Sequence, residues 1–128
     1  MKHKNCEAKL VVVIDDDPLV LEATGGLLRS WGCQVVAAES YDAALKKLAG
    51  LRRPDAIVCD YHLAEGDTGI DVIAGLRSAF EIPALLISGD AVPSTFDGKM
   101  VSGYHLLQKP LDASRFRAAL VGASVLQP

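Results

Sequence analysis

The chain has 128 residues, half of them hydrophobic, and a formal net charge of −3. That length and apolar content suit one domain with a substantial core, here residues 1–128 with a core of about 9–121. The acidic balance excludes a module that neutralises nucleic-acid phosphates, because the basic residues are scattered; Lys46-Lys47 and Arg52-Arg53 read as solvated helix edges. No apolar run approaches the roughly 20 residues of a membrane span. The short apolar stretch after Lys2 and Lys4 stops at Asp15, so it does not read as a secretory signal. Cys6, Cys33 and Cys59 are odd in number and at no metal-like spacing. Cys33 and Cys59 fall in apolar, strand-like runs and read as buried free thiols, which fits a reducing compartment and a cytoplasmic location.

Five short apolar runs alternate with helical stretches. The first, about 9–14, contains Val11-Val12-Val13-Ile14, rich in β-branched residues, and ends in Asp15-Asp16-Asp17-Pro18. Pro18 opens a helix near 18–31, with Asp17 as its expected N-cap and Gly32 as its stop. Val20, Ala23, Leu27 and Trp31 share one face of it. Gly25 and Gly26 lie inside that helix and cost about 1 kcal/mol each against Ala. A second strand spans about 33–38. A second helix, about 41–50, follows Ser40 as N-cap and packs Ala44, Leu45 and Leu48. The third strand, about 55–59, leads to Asp60. A third helix near 69–79 carries Ile73, Leu76 and Phe80 at helical spacing. The fourth strand, about 84–88, ends at Ser88. Val92 to Val101 holds Pro93, Ser94, Thr95 and Gly98, so the fourth helix is weak and irregular. The fifth strand, about 104–108, leads to Lys109-Pro110. The last helix, about 112–122, is capped by Asp112 and buries Phe116 and Leu120.

Strands that are almost continuously apolar are covered on both faces. Five of them alternating with helices predict an α/β fold with a parallel sheet. Right-handed crossovers then place every strand C-terminus at one end of the sheet, where functional groups collect beside the reversal of strand order. The residues delivered there are Asp15, Asp16, Asp60, Ser88 and Lys109. Carboxylates brought together repel unless a cation sits on them. Hard oxygen ligands suit Mg²⁺. A carboxylate beside the metal can attack phosphorus, and the metal, a hydroxyl and an ammonium can neutralise a transferred phosphoryl group. Each residue also has a plainer reading. Asp60 and Ser88 suit turns, and Lys109 suits solvent. Their convergence on successive strand ends favours the chemical one.

In this order and spacing, Val-Val-Val-Ile-Asp-Asp-Asp-Pro, then Pro54-Asp55-Ala56-Ile57-Val58-Cys59-Asp60, then Ala84-Leu85-Leu86-Ile87-Ser88-Gly89, then Lys109-Pro110, the chain resembles the receiver domain of two-component response regulators from about Lys9 to Val121. The resemblance implies a flavodoxin-like, doubly wound five-stranded parallel sheet of order 2-1-3-4-5 with five helices. It implies that Asp60 is the phospho-acceptor in Mg²⁺-dependent transfer from a phospho-histidine. Asp16 would hold the metal directly, Asp15 through water, and His62 through its backbone carbonyl. Ser88 and Lys109 would engage the phosphoryl oxygens, and the Lys109–Pro110 bond would be cis. The implied partner is a sensor histidine kinase or a histidine phosphotransfer domain, and the implied output is a switch of the surface around the fourth helix and fifth strand.

The chain departs from the family pattern in places. Ala64 stands where Pro is common, the loop Glu65-Gly66-Asp67-Thr68 looks one residue longer, and Leu106, near Tyr104, takes the place of the switch aromatic. These put in doubt the aromatic switch and the usual dimer, not the phosphorylation chemistry. Asp60-Tyr61-His62-Leu63 with Tyr104 to Pro110 looks most like the C-terminal receiver of hybrid sensor histidine kinases. The domain alone is no enzyme beyond its own phosphotransfer; a hybrid-kinase parent would be one. With no DNA-binding region after Val121, transcriptional output in this chain is not expected. Two other classes compete. Asp15-x-Asp17 mimics the first motif of haloacid-dehalogenase-type phosphatases, but Leu19 and the lack of a later acidic pair fit poorly. A pseudo-receiver that only binds partners would normally lose an acid or the lysine, and all are present.

Overall fold

The computed structural model describes residues 9–51, 53–60, 82–88, 100–101, 104–108, 112–123 and 125. The chain runs β1 (Leu10–Ile14), α1 (Pro18–Ser30), β2 (Gln34–Ala38), α2 (Tyr41–Leu48), β3 (Ala56–Asp60), β4 (Ala84–Ser88), β5 (Met100–Val101), β6 (Tyr104–Gln108) and α3 (Ala113–Gly122). The sheet order is β2-β1-β3-β4-β6-β5. Its five long strands are parallel in the flavodoxin-like order, with the predicted fifth strand appearing as β6. The predicted helix near 69–79 lies outside the described residues.

One short element was not expected. Met100 and Val101, placed by the sequence at the end of a weak helix, pair antiparallel with His105 and Tyr104 as β5. Two residues carry too little periodicity to signal a strand; pairing with β6 defines it. The rest of that predicted helix is not among the described residues.

The sheet is apolar on both faces, as the continuous hydrophobic runs require. Val11, Val13, Val58, Leu85, Ile87 and Leu107 pack with Leu21 and Leu28 of α1 and with Phe116 and Leu120 of α3. Leu10, Val12, Ile14, Ile57 and Leu86 pack on the other side with Ala44 and Leu48 of α2. Capping follows the local chemistry. Asp17 accepts from the Leu19 N–H at 3.0 Å, Ser40 from the Ala43 N–H at 3.1 Å, and Asp112 from the Ser114 N–H at 2.7 Å. Gly32, just past α1, has φ 93°, a left-handed turn that favours glycine.

Three expectations change. The fully buried stripe of α1 is Leu21, Thr24, Gly25 and Leu28. The expected stripe lies one residue off: Val20, Leu27 and Trp31 are half-buried and Ala23 is exposed. Both sets satisfy helical spacing, and docking on the sheet chooses between them. Leu45, expected in the core with Ala44 and Leu48, is instead 39% exposed. Cys33 is buried but disulfide-bonded, to a partner outside the described residues. It sits in the turn before β2, where the Gln34 N–H donates to the Lys9 carbonyl at 2.8 Å. The chain entering β1 therefore passes beside Cys33, a proximity that spacing within one apolar run does not reveal. Cys59 is the buried free thiol expected of it, so the cysteines together no longer argue for a reducing compartment.

Candidate acidic phosphotransfer site

Parallel register builds the site. Ile14 of β1 lies opposite Cys59 of β3, so the next positions, Asp15 and Asp60, emerge side by side where β1 and β3 end. This is the point at which strand order reverses. Carboxylate oxygens of Asp15, Asp16 and Asp60 all lie within 4.8 Å of one another. Asp15 and Asp60 are buried and Asp16 is exposed.

The backbone holds these acids in place. The Asp15 N–H donates to the Ala38 carbonyl of β2 at 3.1 Å. The Asp15 carboxylate accepts the Asp17 N–H at 2.9 Å. Asp17 turns away to cap α1, as the sequence suggested, and so takes no part in the cluster. On β3, the Cys59 thiol donates to the Asp60 carbonyl at 3.3 Å. Burial, then the Asp60 charge, then the Asp15 charge, push the Cys59 thiol far above the usual thiol range. It stays a neutral neighbour of the acidic cluster.

Three oxygen-donor acids in one small space, two of them buried, fit a hard divalent cation such as Mg²⁺ by donor chemistry. Asp60 pairs with Ile87 of β4, which places the backbone of Ser88, the next residue, at the same edge. Ser88 in turn pairs with Gln108 of β6, directly before Lys109 in sequence. The side chain of Ser88, all of His62 and Lys109, and the expected cis Lys109–Pro110 bond lie outside the described residues. Sequence reasoning missed the neutral Cys59 neighbour. Its strand position was visible, but its ionisation state depends on burial against acids from another strand.

The fold and this acidic strand-end cluster define a doubly wound α/β domain with an acidic site where its strand order reverses. The profile of the response regulator receiver domain matches residues 11–121, and the chain belongs to that family. Phyllosphere-induced regulator PhyR of Methylorubrum extorquens is 29% identical over 119 residues, covering 91% of this chain and 44% of that protein. The solution structure of the Erythrobacter litoralis PhyR receiver domain superposes with a TM-score of 0.76 at 25% identity, covering 91% of this chain and 90% of that one. An anti-anti-sigma factor PhyR from Bartonella quintana gives a TM-score of 0.75 at 25% identity, covering 91% and 47%. The chain spans about half or less of the length of the curated relatives it matches. Among the described residues, no helix is long and apolar enough to cross a membrane.

Proposed function

We propose that Asp60 accepts a phosphoryl group from a phospho-histidine, on a sensor histidine kinase or a histidine phosphotransfer domain. One observation carries this reading: the parallel register gathers the carboxylates of Asp15, Asp16 and Asp60 within 4.8 Å in a chain of the receiver family. A carboxylate oxygen of Asp60 forms the new bond to phosphorus as the bond from phosphorus to the imidazole nitrogen breaks, and the imidazole leaves with its electron pair. Asp15, Asp16, Asp60 and the His62 carbonyl would hold Mg²⁺, which when bound offsets the negative charge gathered at the site. Ser88 donates to one phosphoryl oxygen and Lys109 pairs with another.

The dianionic product then draws Ser88 and the segment after it inward, shifting a two-state surface beside β6 that a partner reads. The strings around Asp60 and Lys109 support a receiver of the hybrid-kinase subtype, with a cytoplasmic location. Likeness to PhyR proteins adds a second class of partner to this reading, a protein of sigma-factor control. The test is incubation with acetyl phosphate, with and without Mg²⁺, followed by intact mass. A Mg²⁺-dependent gain of one phosphoryl group, absent in Asp60→Asn, is expected. Labelling that persists in Asp60→Asn sinks the assignment. No labelling of a folded chain that still binds Mg²⁺ points to a binding-only receiver.

A further inference from the structure

The stripe of α1 that periodicity marks is only partly absorbed by the core, against which Leu27 and Trp31 pack. Val20, Ala23 and Leu27 form one wall of a cavity of about 330 Å³. Val13, Val58 and Ile87 of the sheet form the facing wall, and Asp15 and Asp60 belong to the same lining. Apolar walls with a few convergent polar groups, at this volume, describe the small end of ligand sites.

Thr24 gives an independent sign that the cavity has contents. It is 5% exposed and lines the space. Among the described residues, its hydroxyl has no hydrogen-bond partner. Buried hydroxyls are nearly always bonded, so whatever fills the cavity supplies the bond: water, or a polar group on a ligand.

We propose that this cavity binds a small amphipathic amine. Its ammonium lies against Asp15 and Asp60, and its apolar body lies between α1 and the sheet. The carboxylates set the sign of the ligand's charge. Each offers about four lone-pair sites, so a carboxylate that already has a partner still accepts another N–H. With no metal bound, carboxylates disfavour an anion beside them, and a neutral molecule forfeits the stronger, charge-assisted bond. An amine so placed takes space beside the carboxylates that a divalent cation needs, and the two compete. That competition, unlike the amine site itself, rests on the metal reading above.

The probe is phenethylamine, titrated into the isotope-labelled full chain and followed by backbone amide shifts. Saturable shifts at Val13, Thr24 and Val58 are expected, with binding about tenfold weaker for the neutral phenethyl alcohol and weaker again as Mg²⁺ is added. Ala23→Phe fills the cavity from an exposed helix position, so the fold survives. It should abolish the amine shifts while shifts on adding Mg²⁺ remain. Absence of saturable shifts means that water alone fills the cavity and overturns the proposal. Equal binding of the alcohol, or amine shifts that survive Ala23→Phe, overturns it too. Saturable amine binding untouched by Mg²⁺ overturns the competition and the metal placement but leaves the amine site standing.

Discussion

Within Asp15-Asp16-Asp17, three identical side chains meet three environments, and backbone direction sorts them. Asp15 points into the sheet edge and is buried, Asp16 faces solvent at the cluster, and Asp17 caps α1. Cys59 is governed by the same neighbourhood. Its pKa is raised by burial first and by the nearby acids second. The folded thiol therefore keeps its proton where the unfolded thiol, with an ordinary pKa of about 8.5, has lost it. The folded state then binds more protons than the unfolded one, so stability falls as pH rises above about 8.5, by up to about 1.4 kcal/mol per pH unit. Below that pH both states are protonated and the effect vanishes. Urea unfolding across this range should show the decline in the wild type and lose it in Cys59→Ala; parallel curves would refute the buried neutral thiol.

At the scale of elements, α1 carries two adjacent glycines with different surroundings. A Cβ at Gly25 would lie 3.2 Å from the flexible end of Arg29 and in ordinary contact, 3.5 Å, with a Val35 methyl of β2. A Cβ at Gly26 meets nothing within 4 Å. Gly26→Ala should therefore stabilise the chain by about 1 kcal/mol through helix propensity alone, read as a higher urea midpoint with unchanged slope. The pairing of α1 with α3 rests on Phe116, which is fully buried with its ring centroid 5.7 Å from that of Trp31 at a 54° tilt. Arg117 lies over the same indole, 6.0 Å from its centroid. Phe116→Ala should cost about 3–5 kcal/mol. Trp31 is the single tryptophan, so its emission should shift in that variant before any denaturant is added. Lys47 donates to the Ala37 carbonyl of edge strand β2 at 2.6 Å. A charged side chain there blunts pairing with a second sheet.

At the scale of the whole molecule, the two apolar layers stabilise the sheet, and the acidic cluster at its edge couples stability to cation binding. Asp15 and Asp60 are buried beside each other, and like charges held close repel. A cation bound only by the folded state relieves this by mass action. Mg²⁺ at about a hundred times its dissociation constant should raise stability by about 2.7 kcal/mol. Chelation should reverse the gain, and Asp15→Asn should reduce it. An unfolding midpoint indifferent to Mg²⁺ in the wild type would count against the metal placement.

Strand positions, helix caps and the acids at the strand ends were legible in the sequence. Fully covered parallel strands must be almost continuously apolar, and Asp17, Ser40 and Asp112 cap through bonds that span only two or three residues. What local chemistry does not reach was decided in three dimensions. The face α1 buries, the exposure of Leu45, the disulfide state of Cys33, the pairing of Met100–Val101 and the neutral thiol of Cys59 all depend on groups far away in the chain. A wide apolar arc on a helix satisfies helical spacing in more than one rotation. Only docking against a specific sheet selects one, and in doing so it left Val20, Ala23 and Leu27 lining a cavity, with Leu27 also packed against the core.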